Sequence, residues 1–120
     1  MENSGYASPA GKLVLIVDDD ESVRELIEFV VKKEGFRIEK AADGDEALQK
    51  ARTLSPDLIL LDLMLPKLGG FEILRELQND ETVSIPIVII TGRYTERSTS
   101  EMIKQEPNVK DFIEKPLKPP

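Results

Sequence analysis

The chain has 120 residues, of which 40% are hydrophobic, which is enough for one globular domain with a single core. Sixteen Lys and Arg against twenty-three Asp and Glu give a formal charge of -7, which opposes direct binding to the phosphates of nucleic acid. The chain contains no Cys and no His, so disulfides, thiolate nucleophiles and imidazole bases are excluded. Carboxylates, hydroxyls and lysines must carry any chemistry.

Residues 1–12 are mainly Ser, Gly, Ala and Pro and lack the basic and apolar regions of a signal peptide. They are predicted to be a flexible leader. No apolar run approaches the roughly 18 residues that suggest a membrane-spanning helix. A cytoplasmic protein without a membrane partner is therefore expected.

Short apolar runs rich in β-branched residues are typical of strands that are buried on both faces of a parallel sheet. Leu13 to Val17 is such a run, and Leu58 to Leu61 and Ile87 to Ile90 repeat the pattern. Two weaker segments, Phe36 to Ala41 and Val109 to Ile113, are also predicted to be strands.

Amphipathic helices are predicted between these strands. From Glu21 the apolar residues recur at helical spacing until Gly35 ends the pattern. Asp43 is predicted to cap a second helix, which the following Ser-Pro-Asp run ends. A third helix, with Phe71, Ile73, Leu74 and Leu77 as buried positions, is predicted after a loop that contains Pro66, Gly69 and Gly70. A fourth helix is predicted over 96–105, where only two apolar residues lie among Ser, Thr and charges.

Strands that alternate with helices indicate a parallel sheet with right-handed connections and helices on both faces. The chain is therefore predicted to be one α/β domain, with four strand–helix units followed by a fifth strand. In open sheets of this kind, ligands bind at the carboxyl ends of the strands.

Polar side chains follow four of the five predicted strands, and these are Asp18 and Asp19, Asp62, Thr91 and Lys115. Because the carboxyl ends of parallel strands share one edge of a sheet, we expect these side chains to converge. Three neighbouring carboxylates repel one another unless a cation is present. Mg²⁺ prefers oxygen ligands, so the set favours magnesium.

These residue types indicate phosphoryl transfer. Asp62 is predicted to be the nucleophile toward phosphorus, while Mg²⁺ and Lys115 neutralise the charge of the transferring group. The hydroxyl of Thr91 is predicted to donate to a phosphoryl oxygen.

Four stretches, in this order and at this spacing, resemble the receiver domain of response regulators in two-component signalling. They are Leu15-Ile-Val-Asp18-Asp19-Asp20, Leu60-Leu-Asp62-Leu-Met64-Leu-Pro66 with Gly70, Ile89-Ile-Thr91-Gly92, and Phe112-Ile-Glu-Lys115-Pro116. The resemblance implies a flavodoxin-like, doubly wound sheet of five parallel strands in the order 2-1-3-4-5 over residues 13–116. The family's fifth helix would be missing or truncated, and residues 117–120 form a Pro/Lys tail that begins either a linker or that helix.

The same resemblance assigns roles at the site. It implies that Asp62 is phosphorylated, and that Asp62, Asp19 and the backbone carbonyl of Met64 bind Mg²⁺ directly. Asp18 would act mainly through water.

The resemblance also implies a conformational switch and its partners. Thr91 would close on the phosphoryl group while the Phe112 ring moves inward. A sensor histidine kinase or a phosphotransfer protein would donate the phosphoryl group, and a downstream protein target or a missing output domain would receive the signal. A second copy of the chain is a further candidate partner. The domain would catalyse only its own phosphorylation and dephosphorylation.

Two alternatives remain at this point. The run Asp18-Asp19-Asp20-Glu21-Ser22 approximates the nucleophile loop of haloacid-dehalogenase-type phosphatases, with Asp18 as nucleophile. That interpretation leaves Asp62 unexplained and needs an acidic pair after Lys115, where five residues remain. The other alternative is a receiver-like interaction module that no longer uses phosphate, against which the complete acidic set argues.

Overall fold

The computed structural model describes residues 11–63, 65, 69–79, 81–91 and 106–114. In chain order these residues form β1 (Leu13–Val17), α1 (Glu21–Lys33), β2 (Arg37–Ala41), α2 (Gly44–Leu54), β3 (Leu58–Leu61), α3 (Gly70–Glu76), β4 (Ile87–Thr91) and β5 (Val109–Glu114). The five predicted strands and the first three predicted helices are confirmed. The helix predicted over 96–105, most of the leader and the tail lie outside the described residues.

All five strands pair in parallel in one sheet, in the order β2-β1-β3-β4-β5. The predicted flavodoxin-like order is therefore confirmed. Val17, the last residue of β1, lies opposite both Ala41 and Leu61, the last residues of its two neighbours. These three strands therefore end level, and at β4 the terminal Thr91 lies opposite Glu114 of β5.

The last strand contains a bulge. Ile87 lies opposite Val109, but the register then shifts by one residue, so that Lys110 has no counterpart on β4. Val109 and Phe112 both contact the same core although they are three positions apart. In an unbroken strand, residues three apart face opposite sides of the sheet.

Side-chain caps begin the first two helices. Asp20 Oδ1 accepts a hydrogen bond from the Val23 N–H at 3.2 Å at the start of α1. Asp43 Oδ1 accepts from the Glu46 N–H at 2.9 Å at the start of α2, as predicted. Helix α2 ends where Ser55 adopts a left-handed conformation with φ of 45°.

The sheet separates two apolar cores. Helices α2 and α3 cover one face, and the larger core there contains Leu15, Val17, Ala47, Leu48, Ala51, Ile59, Leu61, Ile73, Leu74, Leu77, Ile87 and Ile89. Helix α1 covers the other face, where Ile27 packs against Val14, Ile16 and Ile90. Among the described residues, no helix has the length and apolar character that a membrane crossing requires.

Candidate functional site

Three carboxylates meet at the ends of β1 and β3. One oxygen from each of Asp18, Asp19 and Asp62 lies within 4.8 Å of the other two. Asp18 is 1% exposed and Asp62 is 4% exposed, whereas Asp19 is exposed. The parallel register causes this meeting, because the Asp62 N–H donates to the Val17 carbonyl at 3.0 Å and so places Asp62 beside the end of β1.

Three contacts hold the main chain and carboxylate of Asp18. Its N–H donates to the Ala41 carbonyl of β2 at 3.1 Å. Its Oδ1 accepts from the Asp20 N–H at 2.9 Å, and its carbonyl oxygen accepts from Arg24 Nη1 at 2.6 Å. Asp18, the first residue of the acidic turn formed by Asp18, Asp19 and Asp20, is thus bonded to β2, to the turn itself and to α1.

Arg24 was not singled out by sequence reasoning. It is the fourth residue of α1, a helix that begins directly after the acidic turn. A cation one turn into such a helix is the signal that could have identified it, because helical residues at this spacing point back toward the helix start.

The donor set fits a hard divalent cation. All three groups offer carboxylate oxygens, and they lie close enough for one ion to be shared. Packing three like charges into a largely buried corner is costly without such an ion. Asp18, Asp19 and Asp62 are therefore the residues of the described chain that could hold Mg²⁺.

Of the four other predicted site residues, the structure describes Thr91 and Phe112. Thr91 ends β4 at the same sheet edge. Phe112 is half-buried and packs against the core that α2 and α3 cover. Met64 and Lys115 lie outside the described residues.

A polar groove of about 210 Å³ lies between α1, the end of β2 and the beginning of α2. It is lined by Glu21, Arg24, Glu25, Lys40, Ala41, Ala42 and Glu46. The hydrogen bond from the Ala42 N–H lowers the pKa of the Glu46 carboxyl, an effect that burial opposes and Lys50 reinforces. The Glu46 carboxyl therefore keeps its negative charge to a lower pH than an ordinary glutamate does.

A family model described as the response regulator receiver domain matches residues 14–120. The chain belongs to this family. It is a receiver domain of two-component response regulators, as the sequence resemblance predicted, and the match favours this interpretation over the dehalogenase-type phosphatase.

Curated relatives support the assignment. The receiver domain is 37% identical over 108 residues to the alkaline phosphatase synthesis transcriptional regulatory protein PhoP of Bacillus subtilis, covering 90% of this chain and 44% of that protein. It is 40% identical over 106 residues to the DNA-binding response regulator MtrA of Mycobacterium tuberculosis, covering 88% and 45% respectively. The chain therefore spans less than half the length of these relatives.

Solved structures share the fold. The chemotaxis protein CheY4 of Vibrio cholerae is 31% identical with a TM-score of 0.81, over 92% of this chain and 91% of that one. The N-terminal domain of a response regulator receiver protein from Methanoculleus marisnigri is 27% identical with a TM-score of 0.80, and the match covers 89% of this chain and 86% of that one.

Proposed function

We propose that Asp62 accepts a phosphoryl group from the phosphorylated histidine of a sensor kinase or a phosphotransfer protein. The observation that supports this most directly is the position of its carboxylate. Asp62 directly follows the central strand β3, is 4% exposed and lies within 4.8 Å of Asp18 and Asp19. A carboxylate beside two further acids can share a cation with them, and that cation neutralises an incoming phosphoryl group.

The proposed transfer needs few groups. A carboxylate oxygen of Asp62 attacks the phosphorus and an O–P bond forms, while the bond between phosphorus and the donor nitrogen breaks. The nitrogen keeps the electron pair of the broken bond and is protonated. The ammonium of Lys115 and the hydroxyl of Thr91 are proposed to contact the transferred oxygens, so that positioning and charge neutralisation account for catalysis.

Mg²⁺ is the proposed cofactor. Asp19, Asp62 and the carbonyl of Met64 are its proposed direct ligands, and Asp18 is proposed to act through water. When bound, the ion stabilises negative charge on the transferring group. The domain is proposed to catalyse only its own phosphorylation and dephosphorylation.

The proposed output is a change in a protein-interaction surface. Phosphorylation adds about -1.5 to -2 charges and three acceptor oxygens, which can draw the Thr91 hydroxyl into a new contact. Phe112 is half-buried beside the larger core, so an inward shift of its ring would change the surface of the edge strand β5. Ligand-free and phosphorylated forms would then differ in their populations of two conformations.

The receiver domain itself, over residues 13–116, is not proposed to contact DNA, because its chain carries a formal charge of -7. PhoP and MtrA are described as a transcriptional and a DNA-binding regulator. By analogy, the recipient of the signal is proposed to be an output domain or a separate protein target in the cytoplasm. A second copy of the domain is a further proposed partner.

Intact mass spectrometry tests the phosphorylation site. The wild-type chain is incubated with a small acyl phosphate, with and without Mg²⁺, beside Asp62→Asn and Asp18→Asn. We expect one phosphoryl adduct that requires Mg²⁺ and is absent from Asp62→Asn. Asp18→Asn should form the adduct much more slowly, because one charge of the proposed metal site is lost.

Asp57→Asn is the matched control, since Asp57 precedes β3 at the opposite end of the same strand. Asp57→Asn should form the phosphoryl adduct to the same extent as the wild type. An adduct that persists in Asp62→Asn but disappears in Asp18→Asn would instead support the phosphatase chemistry.

A further inference from the structure

The turn that carries Asp18 and Asp19 is held by a cation from the neighbouring helix. Arg24 Nη1 donates to the Asp18 carbonyl oxygen at 2.6 Å. Because the donor is charged, this bond is about twice as strong as a neutral one. Arg24 is only half-buried, and the bond directs its guanidinium at the turn rather than into solvent.

We propose that Arg24 is a positioning residue for Mg²⁺, and that it acts by fixing the peptide between Asp18 and Asp19. This inference rests on the metal role proposed above for Asp18, Asp19 and Asp62 (the acidic trio). It concerns affinity for the ion, and not the phosphoryl transfer itself.

The geometry explains how one hydrogen bond can orient two carboxylates. The carbonyl that Arg24 holds belongs to the planar peptide that joins Asp18 to Asp19. Fixing that plane limits ψ of Asp18 and φ of Asp19 together. Asp18 is also held through its carboxylate by the Asp20 N–H, whereas Asp19 is exposed and depends on its backbone for direction.

Of the two cations that line the groove, Arg24 is the one that donates a hydrogen bond to the acidic turn. Lys40, the other cation that lines the groove, pairs with Glu28 at 2.8 Å. Glu21 and Glu25 line the same groove as Arg24. The hydrogen bond from Arg24 to the Asp18 carbonyl therefore connects the residues of this groove to the three carboxylates.

The positive charge of Arg24 and its hydrogen bond to the turn are expected to change the affinity for Mg²⁺ in opposite directions. A guanidinium near a cation site repels the cation, so its removal should tighten Mg²⁺ binding if charge alone matters. If the guanidinium orients the ligands, its removal should weaken binding, as the loss of outer contacts does at other metal sites. The sign of the change therefore separates the two effects.

The test is calorimetric titration of the full chain with MgCl₂ alone, at constant ionic strength and without a phosphodonor. We expect Arg24→Ala to bind Mg²⁺ about tenfold more weakly than the wild type, at the lower end of the range for outer-shell contacts. Arg24→Lys keeps the charge and can donate one hydrogen bond, so its affinity should fall between the two.

Arg37→Ala is the matched control. Arg37 Nη1 also donates to a backbone carbonyl, that of Gly11 at 3.4 Å, but at the other end of the sheet. This variant removes the same charge and a similar contact, and its Mg²⁺ affinity should equal that of the wild type. Thermal unfolding without Mg²⁺ is measured in parallel, since a purely structural role would lower the Tm without changing the affinity of the folded protein.

The outcomes are distinct. Binding by Arg24→Ala that equals or exceeds that of the wild type would overturn the inference and leave the metal site intact. If Arg24→Ala does not fold, Arg24→Met decides, because it keeps the aliphatic part of the side chain but has no donor for the Asp18 carbonyl. Wild-type affinity in Arg24→Met would overturn the inference, and weaker binding would support it. A wild-type chain that binds no Mg²⁺ would overturn the proposed metal site and this inference together.

Discussion

Asn108 is a buried amide that connects three parts of the fold at the start of β5. It is 3% exposed, and its Nδ2 donates to the Ile85 carbonyl at 3.1 Å. Its Oδ1 accepts from Gln78 Nε2 at 2.8 Å, and its backbone carbonyl accepts from the Ile87 N–H at 2.7 Å. Through its side chain and its backbone, Asn108 thus joins the segment after α3 to the beginning of β4 and of β5.

Replacing this amide should destabilise the domain. Asn108→Ala removes both side-chain bonds and leaves the Ile85 carbonyl without that donor, which we expect to lower the free energy of unfolding by about 1–3 kcal/mol. Urea unfolding measures the change. Gln78→Ala removes the bond to Asn108 and a bond from Gln78 Nε2 to the Leu74 carbonyl, both of them only partly buried, but it keeps the buried bond from Asn108 to Ile85. It should therefore cost less, and an equal or larger loss in Gln78→Ala would contradict this account.

Among the elements, α2 is followed by a cap residue, Ser55, whose backbone conformation is unfavourable for a residue with a side chain. Ser55 has φ of 45°, in the left-handed region where a side chain costs roughly 1–2 kcal/mol. Glycine is the usual residue at this position because it has no Cβ. We therefore expect Ser55→Gly to raise the free energy of unfolding by about 0.5–1 kcal/mol, after the added entropy of the unfolded chain is included.

Thermal unfolding tests this prediction. Ser55→Ala is the control, because it removes the hydroxyl but keeps the Cβ. It should not raise the Tm, and a Tm that rises equally in both variants would show that the hydroxyl, and not the backbone, is the source of strain.

A row of ion pairs joins α1 and α2 across the edge strand β2. Glu28 pairs with Lys40 at 2.8 Å, and Lys50 pairs with Glu39 at 2.9 Å and with Glu46 at 3.1 Å. Burial lowers the pKa of Lys50, but its hydrogen bonds to Glu39 and Glu46 outweigh this and raise the pKa overall. The row also places charged side chains along an edge that could otherwise pair with another strand.

At the scale of the whole molecule, these ion pairs predict that the free energy of unfolding decreases at acidic pH. Hydrogen bonds from Lys40 to Glu28 and from Lys50 to Glu39 lower the pKa of both carboxyls below the usual 4.5, and the Ala42 N–H does the same for Glu46. A carboxyl with a lower pKa in the folded state stabilises the fold above the unfolded value, and this contribution is lost as the pH falls through the folded value.

Urea unfolding between pH 7 and pH 3 should therefore show a free energy that is nearly constant down to about pH 5 and then falls, as expected for carboxyls that titrate near their usual values in the unfolded chain. Lys50→Met removes the cation that two of the carboxyls share. Its free energy should fall less steeply below pH 5, and a slope identical to that of the wild type would exclude the row as a source of the pH dependence.

The sequence was sufficient for the sheet and for the meeting of the acidic trio, because apolar runs identify parallel strands and parallel strands end at one edge. Arg24 could not be assigned in this way, since its contact depends on a side-chain conformation. The bonds of Asn108 join residues 23 and 30 positions apart, which no local pattern reports. The bulge at Lys110 depends on how two strands align, which neither strand determines alone.

That bulge also has a consequence for the tolerance of the chain to insertions and deletions. The side of the sheet that Phe112 faces is set by counting residues from Lys110, and not from the end of β4. A change of length before Val109 can therefore be absorbed without turning Phe112 over. A one-residue change between Asp111 and Glu114 would instead move the following residues of β5 to the opposite face of the sheet. Natural variation in length should therefore accumulate before Val109 rather than within β5 after Lys110.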